Sequence, residues 1–177
     1  MTAPQPGSAV ARPSEPAWLL EARKMLGTLE GAGPKNNPSV VHLYEEAGHP
    51  EIHADSVPWC AAFIGAMLKR AGVKPSGSLA ARSYEAWGQP LKAPVFGCIG
   101  VKKRPGGGWV GHVGIVVGAS SSQIIMLGGN QGDAVTVAAF PRREFTAFRW
   151  PANLPIPKDL PALPSTVADA RTNVSQA

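Results

Sequence analysis

Cys60, His112 and Asn130 are the residues whose types and order could together do chemistry. Cys60 opens the apolar run Cys60-Ala61-Ala62-Phe63-Ile64-Gly65-Ala66-Met67-Leu68, which reads as a buried helix. In the first turn of a helix, unpaired backbone N–H groups and the helix dipole favour a thiolate over a thiol. Position alone argues weakly, since most buried cysteines are small hydrophobes. His112 stands in Gly111-His112-Val113-Gly114-Ile115-Val116-Val117, a strand pattern whose plain alternative is a core histidine. Yet a cysteine at a helix start, a histidine on a following strand and an amide or carboxylate on the next is what a cysteine hydrolase requires. The histidine takes the thiol proton and returns it to the leaving group, and a third residue holds the imidazole in the useful tautomer. Asn130, in Leu127-Gly128-Gly129-Asn130-Gln131, is the candidate third member, with Asp133 after Gly132 as the alternative.

The elements that must position these residues follow from apolar spacing. Trp18, Ala22, Met25 and Leu29 recur at helical intervals, predicting a helix over 16–29 that Gly31, Gly33 and Pro34 end. Asn37-Pro38 reads as an N-cap and first helical residue, opening a short helix with Val40, Val41 and Tyr44 that stops at Gly48. Asp55 or Ser56 is placed to cap the cysteine helix and Gly72 to close it. Ser78 can cap a fourth helix through Ala81, Tyr84 and Trp87. Val-, Ile- and Phe-rich runs near 95–101, 110–118, 123–128, 134–140 and 145–150, separated by Gly clusters, predict strands. Helices followed by an antiparallel sheet make an α+β fold.

Of the 177 residues, 20 are Gly and 18 are Pro. Pro4, Pro6, Pro13, Pro16, Pro151, Pro155, Pro157, Pro161 and Pro164 lie in the two ends. This predicts flexible Pro-rich segments over 1–16 and 151–177 flanking one catalytic domain over 17–150, with the domain alone expected to retain activity. Cys60 and Cys98 are too few for a disulfide framework or a four-thiolate zinc site. Cys98, in a strand-like run, reads as an inert core thiol. His49 and His53 are four apart, but Pro50 intervenes and no acidic partner stands at a motif spacing, so neither metal nor cofactor is expected. No apolar run approaches a membrane span, and the N-terminus lacks the pattern of a signal peptide. The net charge of +5 resides in 87–150, where seven Lys/Arg face only Asp133 and Glu144. A basic half attracts polyanions, but no nucleic-acid-binding motif accompanies it.

Asn36-Asn37-Pro38, Pro58-Trp59-Cys60-Ala61-Ala62-Phe63, Ala81-Arg82-Ser83-Tyr84 through Trp87-Gly88, Gly111-His112-Val113-Gly114 and Gly129-Asn130-Gln131, in this order, resemble the landmarks of the CHAP and NlpC-type papain-like cell-wall hydrolases of bacteria and phages. The resemblance covers about residues 17–150. It implies a papain-like fold with the cysteine helix packed on the sheet that bears the histidine. It also implies cleavage of a peptidoglycan amide, either muramoyl-L-alanine or a bond within the stem peptide. Cys60, His112 and Asn130 fall on the nucleophile, base and orienting positions. Trp59, Trp109, Gln131 and Asp133 are assigned to substrate binding; Trp109, among glycines, suits a groove wall, whereas Trp59 equally suits the core. The basic trio Lys102-Lys103-Arg104 could meet stem-peptide carboxylates or simply keep a loop soluble. A monomer acting on the wall without a signal peptide needs holin lesions or injection by a secretion system, as a phage lysin or antibacterial effector. In the second case an immunity protein covering the Cys60 cleft is expected. The alternatives are a non-catalytic peptidoglycan-binding module, or a cysteine deamidase or acyltransferase acting on proteins.

Overall fold

Helix α3 (Cys60–Arg70) is apolar on every side for its first nine residues, and Cys60 through Leu68 are all buried. A helix without a polar face must be covered all round. In the computed structural model, which describes residues 14–106 and 108–175, α1 (Ala17–Arg23) and α2 (Pro38–Glu46) pack on it from one side and a sheet from the other. Asn37 caps α2 by accepting from the Ser39 N–H at 2.9 Å, with Pro38 in the first turn. The predicted first helix is shorter than its apolar spacing suggests. After Arg23 the chain continues in turns, with Gly27 at φ +86°. A single-turn-type 3₁₀ segment, Ala81–Ala86, replaces the predicted fourth α-helix.

Six strands form one antiparallel sheet in the order β1-β6-β2-β3-β4-β5. They are β1 (Gln89–Pro90), β2 (Ile99–Lys103), β3 (Gly111–Ala119), β4 (Gln123–Gly128), β5 (Thr136–Pro141) and β6 (Phe145–Trp150). The α+β class follows directly. β3 pairs with β2 through Lys102↔His112 and with β4 through Ile115↔Leu127. Val113, Ile115 and Leu127, with Ile99 and Val101, are fully buried. The run predicted as a strand from residue 95 begins pairing later, because Val95–Cys98 is a turn with Gly97 at φ +84° and Trp18 Nε1 bonded to the Gly97 carbonyl at 2.8 Å. No helix among the described residues is long and apolar enough to cross a membrane.

The chain after Trp150 departs most from expectation. Residues 151–166 run back over the domain, and α4 (Val167–Ser175) buries Ala170 and Val174 completely or nearly so against β3 and β5. The Ala119 N–H bonds to the Pro164 carbonyl at 2.9 Å, and Arg171 Nη2 to the Val137 carbonyl at 3.2 Å. The prolines here set the path of a docked strap rather than a free tail, since Ala170, Val174, Leu160 and Leu163 supply apolar contacts that a count of prolines ignores. At the other end, residues 1–13 of the segment expected to be flexible lie outside the described residues. Ser14 is bonded to Asp159, and Glu15 pairs with Arg23, whose guanidinium also reaches the Asn173 carbonyl. Removing residues 151–177 uncovers part of the core, so we expect the 1–150 chain to melt about 10 °C lower than the full chain, measured by circular dichroism.

Candidate functional site

The first turn of α3 carries no side-chain cap, and Trp59 serves as its N-cap residue. Asp55, expected to cap it, instead accepts the Gly31 and Asn37 N–H groups, each at 2.7 Å, and so ties the loops before α2 and α3 together. The N–H groups at the start of α3 are therefore free of side-chain acceptors and gather round the Cys60 sulfur. Those of Ala61 and Cys60 itself bear on the thiol, joined by the N–H of Val113 from β3. Both cysteines are free thiols. Cys98 is wholly buried, its thiol pushed up to about 12 by burial.

His112 is the residue before Val113 on β3, whose N–H bears on the Cys60 thiol. Its Nε2 lies 3.0 Å from Gln131 Oε1 in a buried contact. Gln131 is itself fixed: its side-chain nitrogen donates to the Met126 carbonyl at 3.2 Å and the Thr136 carbonyl at 2.8 Å. With the amide hydrogens turned to carbonyl oxygens, Oε1 must face the ring, so His112 donates from Nε2 and its neutral form leaves Nδ1 bare. Nδ1 is thus the nitrogen able to receive a proton. The Phe140 ring stands 5.3 Å away, centroid to centroid. Lys102, paired with His112 across β2 and β3, is held by Glu144 at 2.9 Å.

The electrostatic state differs from the thiolate expected at a helix start. Cys60 is 3% exposed and His112 4%. Burial raises the Cys60 thiol, with the Val113, Ala61 and Cys60 N–H groups and the Arg104 charge opposing only in part. Burial also drives His112 down to about 4, against the Gln131 contact that favours the charged ring, while Lys102 and Arg104 push it down further. Burial thus favours the uncharged form of each, because taking a charge out of water outweighs the helix-start dipoles.

The residues singled out from sequence fall into three groups. Cys60 meets the N–H of Val113 on β3, the strand that carries His112. Gln131, expected to touch substrate, takes the orienting place expected of Asn130. Asn130 is half-buried at φ +57° and Asp133 exposed at φ +57°, with Gly132 between them at +65°. The Asp133 carbonyl accepts the Glu30 N–H at 2.8 Å. Asn and Asp tolerate this left-handed backbone better than other side chains, which accounts for both without a chemical role. Trp59, also expected at the substrate, is fully buried; its Nε1 donates to Glu30 at 3.0 Å, so it belongs to the core. Trp109 is 62% exposed at the approach to β3. Arg82, unassigned from sequence, lies with its guanidinium 4.8 Å from the Trp109 ring centre and donates to the Gly108 carbonyl at 3.0 Å. Its side chain occupies the space a Cβ at Gly111 would need. A cavity of about 700 Å³ opens elsewhere, between Ala71–Ser76, Trp87 and Pro151–Leu154.

Neither a family model nor a curated protein matches this chain.

Two measurements check this geometry. Nitrogen-15 NMR of the His112 ring should show a protonated Nε2 and a bare Nδ1 at neutral pH. Asn130→Ala should leave that pattern intact and Gln131→Leu should abolish it. The second concerns acid. Because His112 titrates lower in the folded chain than in the unfolded one, its contribution is unaffected above about pH 6.5. Between pH 6.5 and 4 only the unfolded chain gains the proton, so stability falls, by at most about 3 kcal/mol. Chemical denaturation across that range should show a shallower acid loss for His112→Gln than for the parent.

Proposed function

We propose that this chain is a papain-like cysteine hydrolase that cleaves an amide bond of peptidoglycan. The observation that carries the hydrolase reading is the free Cys60 thiol at an uncapped helix start, met by the N–H of Val113, whose chain neighbour His112 has its Nε2 occupied by a fixed amide. The wall substrate rests on the ordered landmarks of the sequence, from Trp59-Cys60-Ala61-Ala62-Phe63 to Gly111-His112-Val113-Gly114.

The chemistry runs from a neutral pair. As a carbonyl carbon approaches Cys60, the thiol proton passes to His112 Nδ1 and the sulfur bonds to carbon. The oxygen that gains charge is met by N–H groups at the start of α3, dipoles already oriented before the reaction begins. Collapse of this adduct breaks the C–N bond, and His112 returns its proton to the departing amine. Water, giving a proton to His112, then attacks the thioester; the acid product leaves and Cys60 regains its proton. Gln131 acts throughout on the ring: it keeps Nε2–H engaged, so that Nδ1 faces the reaction.

Purified protein incubated with sacculi should release soluble muropeptides, and mass spectrometry should find a new amine and a new carboxylate at one type of bond. Cys60→Ala should reduce release by at least about 1000-fold. Undiminished release by that variant would remove the mechanism, and the absence of any release by the parent would remove the substrate.

A further inference from the structure

The turn joining β2 to β3 places a second group of side chains beside the site. The ladder of Lys102↔His112 and Lys103↔Gly111 continues past the strand ends through the Arg104 N–H to the Val110 carbonyl at 3.1 Å. Successive side chains alternate across a sheet, so Arg104 returns to the face that holds Lys102 and His112. The cations near this end, among them the exposed Lys103, differ in what they have to do. Lys102 is buried on Glu144 and Arg82 is engaged by Glu85 at 2.8 Å. Arg104 is exposed and has no acidic partner among the described residues. Its charge nevertheless acts on both Cys60 and His112. Val110 stands opposite it and Trp109 is the next residue along, 58% and 62% exposed.

We propose that Arg104 is a specificity residue that takes a carboxylate of the substrate close to the amide under attack, with Trp109 and Val110 receiving the adjoining apolar part. The site would therefore select an acidic peptide over its amidated form. A guanidinium presents a planar fork that fits a carboxylate, and a neutral carboxamide offers it neither the charge nor the second acceptor oxygen. This rests on reading Cys60 and His112 as an amide hydrolase; it adds the class of peptide that the hydrolase accepts.

The test uses the full chain carrying Cys60→Ala and two synthetic tetrapeptides, L-Ala-D-Glu-L-Lys-D-Ala joined through the glutamate side chain and the same peptide with the glutamate α-carboxylate amidated. Calorimetry should show the acidic peptide binding about tenfold more tightly. Adding Arg104→Gln should bring the two affinities together, while Lys103→Gln, a neighbouring charge removed, should leave the ratio unchanged. Equal affinities before Arg104 is altered, binding of neither peptide, or a ratio that survives Arg104→Gln would each overturn the inference. Digestion of sacculi by the unaltered protein separates the two readings. Lysis without an Arg104-dependent preference overturns the specificity inference alone. A preference without lysis sustains the carboxylate site and overturns the lytic function.

Discussion

Close approach of the α3 start to the end of β4 is the constraint on which the site depends. At Gly129 a Cβ would fall 2.7 Å from both the Trp59 ring and the Phe63 Cβ, closer than packed atoms can come. Only glycine lets the first turn of α3 settle there, and that seat brings Cys60 to the Val113 N–H. Gly128 has the same property toward the site's other side, since a Cβ there would lie 2.4 Å from Gln131 Oε1, the atom that faces His112. Two adjacent glycines thus clear space for the helix of Cys60 and for the amide that holds His112. The need is for closeness at these two positions, not for unusual backbone angles.

Such closeness has an electrostatic cost. Dense packing excludes water from Cys60 and His112 and leaves both uncharged, the thiol raised and the imidazole near 4. An exposed thiolate–imidazolium pair would be ready to react but also ready to be oxidised. In the proposed reaction the proton stays on sulfur until a carbonyl arrives, so charge develops only while the α3 N–H groups have an oxygen to meet. Proton transfer and attack are coupled in such an arrangement. The fixed Nε2–H of His112 makes the direction of that transfer single-valued.

Much of this was legible in the chain. The apolar run of α3, the β-branched run of β3 and the Asn37-Pro38 start of α2 each repeat a local rule, and each forms where that rule places it. Cys60 and His112 stood out because a cysteine and a histidine lie at the ends of such runs. The amide bonded to His112 lies one position from the one expected, for a physical reason. Asn130 looks chemical because its amide is short and strand-terminal, but its backbone is left-handed, and Asn is a residue that accepts this. The longer side chain of Gln131 reaches back to Met126, Thr136 and His112. Turn handedness at 130–133 is set by how β4 hands over to β5, which composition does not encode. The docked α4 was hidden likewise: its partner surface on β3 and β5 lies far away in sequence, and only Ala170 and Val174 mark its apolar face.

The charge imbalance takes on a different meaning once the side chains are placed. Of the seven cations between 87 and 150, three are spent inside the fold. Lys102 is held by Glu144, Arg142 donates to the Ser120 carbonyl at 3.0 Å, and Arg149 donates to the Glu85 carbonyl. Lys92, Lys103, Arg104 and Arg143 remain exposed. A diffuse attraction to any polyanion would use all seven alike, falling off over a Debye length of about 8 Å at physiological salt. What the fold presents beside the site is narrower: the adjacent cations Lys103 and Arg104, of which Arg104 shares the face of His112, next to an exposed indole. Three of the seven cations are therefore structural, and two of the four exposed ones, Lys103 and Arg104, stand together at the end of β2.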